Sequence, residues 1–116
     1  MSENGSAHIV VVDDELSMRE LLELMLKREG YAVTCAGSGG EAVRLLGEIQ
    51  ADLLLCDIRL GDMTGLEVLR RWKHEQPHTV VIMISAYAST ETAVEAMNEG
   101  AFDYVMKPIH IKDLVK

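Results

Sequence analysis

The chain is 116 residues long, 48% hydrophobic and only 4% aromatic, which suits one domain built round an aliphatic core and leaves no room for two. Nineteen acidic against eleven basic residues give a net charge of -8, which repels phosphate backbones and argues against direct nucleic-acid binding by this segment. No apolar run approaches the ~20 residues of a membrane span, residues 1–7 carry no basic leader, and Cys35 and Cys56 lack metal-ligand spacing, so a soluble cytoplasmic protein with free thiols is expected.

His8-Ile9-Val10-Val11-Val12 is a β-branched run ending in Asp13-Asp14-Glu15, after which Met18, Leu21, Leu22, Met25 and Leu26 recur at helical spacing over residues 16–29. Gly30 closes that helix, and Tyr31, Val33 and Cys35 alternate with small or polar residues as in an edge strand. Gly37-Ser38-Gly39-Gly40 has the composition of a phosphate loop but neither the following Lys-Ser/Thr nor GxGxxG spacing, so it reads as a turn. A second helix follows with Ala42, Leu45, Leu46 and Ile49 as its stripe.

Leu53-Leu54-Leu55-Cys56 then runs straight into the lone carboxylate of Asp57, the pattern of a strand covered on both faces with a polar group at its end. A third helix after Gly65 carries Leu66, Leu69 and Trp72, and Pro77 breaks the chain before a fourth strand over residues 80–84 that leads into Ser85-Ala86-Tyr87. Residues 90–98 form a short helix with Ala93, Ala96 and Met97 inward. Residues 102–106 form a fifth strand delivering Lys107-Pro108, and residues 109–116 begin a fifth helix. Regular alternation of strand and helix implies right-handed crossovers and a flavodoxin-like, doubly wound α/β fold, with a five-stranded parallel sheet in order 2-1-3-4-5 and helices on both faces.

In that order the strands ending in Asp13-Asp14, Asp57, Ser85 and Lys107 are neighbours. Lys107 lies roughly 10 Å from Asp57 at ~4.8 Å per strand, a gap that a lysine stem spans in large part. Three carboxylates in one crevice repel one another and raise their pKa values unless a cation neutralises them. Hard oxygen donors without His or Cys select Mg²⁺ or a similar ion, and Asp13, Asp14 and Asp57 are its candidate ligands. Lys107 and Ser85 supply a charge and a hydroxyl for the oxygens of a phosphoryl group, and Asp57, central among them, is the candidate nucleophile. Each group alone has an ordinary explanation: a helix N-terminal acidic pair, a turn serine, a surface lysine. Their convergence on adjacent strand ends outweighs those explanations.

The sequence resembles the receiver domain of bacterial two-component response regulators over essentially its whole length. The likeness is carried by Val-Val-Asp13-Asp14-Glu15, Asp57 with Gly65-Leu66-Glu67, Ser85-Ala86-Tyr87 and the stretch from Gly100 to Pro108. The resemblance implies that Asp57 is the phosphoacceptor and that Asp13, Asp14, Asp57 and the backbone carbonyl of Arg59 bind Mg²⁺. It also implies that Ser85 and Lys107 sense the phosphate, that Tyr104 is a rotating aromatic which turns inward on phosphorylation, and that the bond before Pro108 is cis. It implies a sensor histidine kinase as phosphoryl donor, a phosphoacceptor rather than an enzyme, and no membrane partner. A weak homodimer through the fourth helix and fifth strand is left open. Two departures stand out: Gly61 replaces the usual proline, which loosens the neighbouring loop, and Ser85 replaces the commoner threonine while keeping the hydroxyl.

The stretches 58–72 and 86–108 are most similar to receivers of the NtrC type, which precede a sigma-54-activating ATPase and a DNA-binding domain. Residues 1–116 are thus expected to be one receiver domain, cut within its fifth helix and detached from its output domains. Arg59 and Tyr87, each two residues past a site member, are expected to lean over the pocket mouth and exclude hydrolytic water, giving a long-lived phosphorylated state. Two alternatives differ in class. A phosphatase of the haloacid-dehalogenase type also uses an aspartate nucleophile, but Arg59 stands where its second aspartate belongs. A receiver-like interaction module without phosphorylation conflicts with the intact cluster.

Overall fold

Strands β1 (His8–Val12), β2 (Ala32–Ala36), β3 (Leu53–Asp57), β4 (Val80–Ser85) and β5 (Asp103–Met106) pair in parallel in the order β2-β1-β3-β4-β5. They are seen in a computed structural model that describes residues 7–86 and 90–107. Because side chains alternate across a strand, each central strand feeds two cores. Val10, Val12, Leu54, Cys56, Val81 and Met83 face one side; Ile9, Val11, Leu55, Ile82 and Ile84 face the other. That double burial is why the strands read as continuous apolar runs rather than as alternating ones.

Helices α2 (Gly39–Leu46), α3 (Gly65–Glu75) and α4 (Thr90–Asn98) cover the first face through Ala42, Leu45, Leu66, Leu69, Trp72 and Ala96. Helix α1 (Leu16–Arg28) covers the second with Leu22 and Leu26, flanked by Met18 and Met25. Ser38 and Thr64 start α2 and α3 by accepting the Glu41 and Glu67 amides at 3.1 and 3.3 Å. Both are N-cap residues followed three positions later by glutamate. No helix among the described residues is long and apolar enough to cross a membrane.

Some expected positions differ. Leu21 is exposed rather than packed, because α1 carries more leucines than its buried stripe holds and rotates Leu22 and Leu26 inward instead. Met97 is likewise exposed on α4, where Ala96 alone is fully buried. Ile49 lies past the end of α2, packed against the core from the loop, and Phe102 precedes β5 and is exposed. The expected fifth helix and the bond before Pro108 lie outside the described residues.

Candidate functional site

The parallel register brings the polar strand ends level. Val12 pairs with Cys56, Asp57 with Ile84 and Ser85 with Met106, so Asp13, Asp57, Ser85 and Lys107 emerge together at the carboxyl edge. Backbone bonds hold those ends: the Asp13 amide donates to the Ala36 carbonyl at 3.1 Å, Ile58 to Ile84 at 3.0 Å and Lys107 to Ser85 at 2.8 Å. Carboxylate oxygens of Asp13, Asp14 and Asp57 lie within 4.8 Å of one another. Asp13, Asp57 and Ser85 are buried, whereas Asp14 is exposed.

The two buried carboxylates are held alike. Asp13 Oδ1 accepts the Glu15 amide at 3.0 Å and Asp57 Oδ1 accepts the Arg59 amide at 3.1 Å. Their other oxygens turn to Lys107, whose Nζ lies 2.9 Å from Asp57 Oδ2 and 3.0 Å from Asp13 Oδ2. The lysine stem thus crosses the intervening strand, as expected. Glu15 Oε1 stands 3.9 Å from the same ammonium, a contact that sequence reasoning missed. Asp13 Oδ2 is close enough to Lys107 for an ion pair but has no aligned hydrogen-bond donor among the described residues. A buried carboxyl oxygen in that position, with hydrogen-bonding capacity left unused, suits a further positive charge beside the ammonium.

Burial is the leading cause that raises the Asp13 pKa, opposed by the Glu15 amide and Lys107 and assisted by the charge of Asp57. The expected mutual repulsion of the aspartates therefore matters less here than loss of water around Asp13. Burial works to lower the Lys107 pKa, but its close contacts with the Asp57 and Asp13 carboxylates outweigh it and the net shift is upward. Lys107 therefore stands as an ammonium between the two carboxyl groups. An all-oxygen, acidic, partly open donor set of this kind suits a hard divalent cation.

The loop after β3 is tightly held. Arg59 and Thr64 form an antiparallel bridge, and the Gly65 amide donates to the Ile58 carbonyl at 2.6 Å. Gly65 is buried where any side chain would strike the Asp57 carbonyl, so the glycine lets α3 start directly behind the reactive strand end. Gly61 has φ +84°, a left-handed backbone closed to proline, and the next residue anchors the loop: Asp62 accepts the Gly39 and Gly40 amides at 2.9 Å each. The expectation that Gly61 loosens this loop is corrected by these contacts. They occupy the Gly39 and Gly40 amides, and Glu41 Oε1 accepts the Gly37 amide at 2.7 Å, consistent with reading the Gly37–Gly40 turn as no phosphate loop.

Arg59 has an exposed side chain beside the site. Tyr87, the other expected gate, lies outside the described residues. Tyr104 is half-buried against the α2–α4 side of the core, and its hydroxyl is buried without a hydrogen-bond partner among the described residues.

The family model of the response regulator receiver domain matches residues 9–116. The regulatory protein AtoC of Escherichia coli K12 is 41% identical over 106 residues, 91% of this chain and 23% of that protein. The transcriptional regulatory protein ZraR of the same strain is 42% identical over 106 residues, with 91% and 24% covered. The chain thus spans about a quarter of the length of these relatives. Among solved structures, a response regulator from Burkholderia pseudomallei, crystallised with a phosphorylated aspartic acid, calcium ion and citrate, superposes with a TM-score of 0.91 at 31% identity. That match covers 95% of this chain and 65% of the other.

Proposed function

The chain belongs to the response regulator receiver domain family, and from that premise we propose that Asp57 accepts a phosphoryl group beside a divalent cation held by Asp13, Asp14 and Asp57. The observation that carries this reading is the Lys107 ammonium seated between Asp57 Oδ2 and Asp13 Oδ2, with the latter buried and lacking an aligned donor. Magnesium is the ion proposed, with the Arg59 backbone carbonyl completing the protein ligands; when bound it supplies positive charge beside the phosphoryl oxygens. An oxygen of Asp57 attacks the phosphorus in line with the leaving group. The bond from phosphorus to the donor breaks as the bond to Asp57 forms, the donor departs with the electron pair, and an acyl phosphate results. Lys107 moves its contacts from carboxylate to phosphoryl oxygens over a short distance, and the Ser85 hydroxyl donates to one of them.

The proposed donor is a phosphohistidine of a sensor kinase. The proposed consequence is a shift of Ser85 and Tyr104 that changes the α4 and β5 surface, since a new dianion beside Lys107 supplies the differential contact that a two-state switch needs. Val94, Met97, Phe102 and Met106 are exposed there and suit contact with an output domain or a second copy. The match to transcriptional regulators of about four times the length supports an attached output module of the NtrC type, an ATPase with a DNA-binding domain, working in the cytoplasm. Residues 1–116 act as one receiver domain in this scheme. A haloacid-dehalogenase-type phosphatase is not favoured, because Arg59 occupies the place of its acid-base aspartate.

Incubation with a small phosphodonor and Mg²⁺, followed by intact mass, tests the proposal. One phosphoryl group on the wild type and none on Asp57→Asn is the expected result; steady turnover of donor without a stable adduct, or no reaction, contradicts it.

A further inference from the structure

We infer that Asp62 is a positioning residue for the site: it locks the tip of the β3–α3 loop onto the start of α2, and so fixes the Arg59 backbone against Asp57. The inference rests on the metal reading above. Helix α2 opens with the amides of Gly39, Gly40 and Glu41. Glu41 is served by Ser38 in its own turn, but Gly39 and Gly40 donate to the two oxygens of Asp62, which lies 22 and 23 residues further along the chain. A carboxylate at that point meets both the orphan amides and the positive end of the helix dipole.

The packing around it is specific. Met63 lies so close to Gly39 that any side chain there would collide with it, and Leu60 is buried on the other side of the turn. Gly61, between them, runs beside Asp14: a methyl group on it would stand 3.7 Å from Asp14 Oδ2. The loop therefore has two anchors. Its base is closed by the Arg59–Thr64 bridge and the Gly65 to Ile58 bond, and its tip by Asp62. Arg59 sits at the junction, with its amide on Asp57 Oδ1. Glycine at position 61 gives the backbone freedom to swing, and the Asp62 latch removes it.

The test compares Asp62→Ala, Asp62→Asn and Ser38→Ala by Mg²⁺ titration and by amide hydrogen exchange, neither of which requires phosphotransfer. Removing the direct partner of a metal ligand lowers affinity by about tenfold or more; Asp62 acts one step further out, so a loss of up to about tenfold is the expectation for Asp62→Ala, with partial recovery in Asp62→Asn, which keeps one oxygen acceptor. Ser38→Ala weakens the same helix start without touching the loop and should bind Mg²⁺ like the wild type. The Arg59 amide should exchange faster in Asp62→Ala only. Unchanged affinity in Asp62→Ala, or equal loss in Ser38→Ala, overturns the inference. A wild type that binds no Mg²⁺ overturns the metal reading instead, and Arg59 exchange then decides the latch: acceleration in Asp62→Ala supports it, no change refutes it.

Discussion

Replacing Lys107 by methionine keeps the stem and removes the charge that holds two aspartates together. Its Nζ makes contacts of 2.9 and 3.0 Å, and the side chains involved are 13% exposed for Lys107, 10% for Asp57 and fully buried for Asp13. Deleting one partner of a buried pair costs about 3–5 kcal/mol, because the remaining charge is left uncompensated. Partial access of water to Lys107 and Asp57 places the expected loss near the lower end, about 3 kcal/mol in metal-free buffer. A cation bound by the same carboxylates replaces the missing charge and, at a hundredfold excess over its dissociation constant, adds about 2.7 kcal/mol. Since the ammonium and the proposed ion draw on the same carboxylates, Lys107→Met should also bind Mg²⁺ more tightly than the wild type. Urea unfolding of both proteins in chelator and in excess Mg²⁺ measures this directly. A wide gap in chelator that narrows with Mg²⁺ is expected. Equal stability in chelator, or a gap indifferent to Mg²⁺, refutes the reasoning.

Three further outcomes follow from particular side chains. Asp13 has its pKa raised on folding, so its contribution to stability is full below the unfolded value and is lost as pH rises through the folded one. Urea midpoints of metal-free wild type should therefore fall relative to Asp13→Asn as pH increases through the carboxylate range; a rise would contradict the assignment. Tyr104→Phe removes a buried hydroxyl without a partner among the described residues, and should leave stability unchanged or raise it by up to about 1 kcal/mol, read by thermal or urea unfolding. On the sequence expectation that Arg59 and Tyr87 shield the acyl phosphate from water, Arg59→Ala and Tyr87→Ala should each speed loss of phosphate after donor removal; unchanged decay in both argues against shielding.

The sheet was legible because the apolar runs are short, bounded and doubly buried, and the site because its residues close four neighbouring strands. Leu53 to Asp57 shows both properties in five letters. Helix faces were less legible: with leucine at 16, 21, 22, 24 and 26, periodicity alone does not choose Leu22 and Leu26 over Leu21. The Ser38–Glu41 and Thr64–Glu67 spacings were readable helix starts that sequence reasoning passed over. Asp62 had no such local signal, since its partners are amides of Gly39 and Gly40, which carry no side chain to mark them. Gln76 is hidden in the same way. Its buried amide group serves the Ala51 amide, the Trp72 indole, the Thr79 hydroxyl and the Leu46 and Ile49 carbonyls at the opposite end of the sheet, all contacts that only the folded chain creates.

The strand-end cluster is proposed to make Asp57 a metal-dependent phosphoacceptor. Borohydride reduction after exposure to a small phosphodonor converts an acyl phosphate to the corresponding alcohol, which peptide mapping then locates. Homoserine at position 57, formed with Mg²⁺ and absent in chelator, is the predicted result. Modification at another residue, or equal labelling without metal, would contradict it.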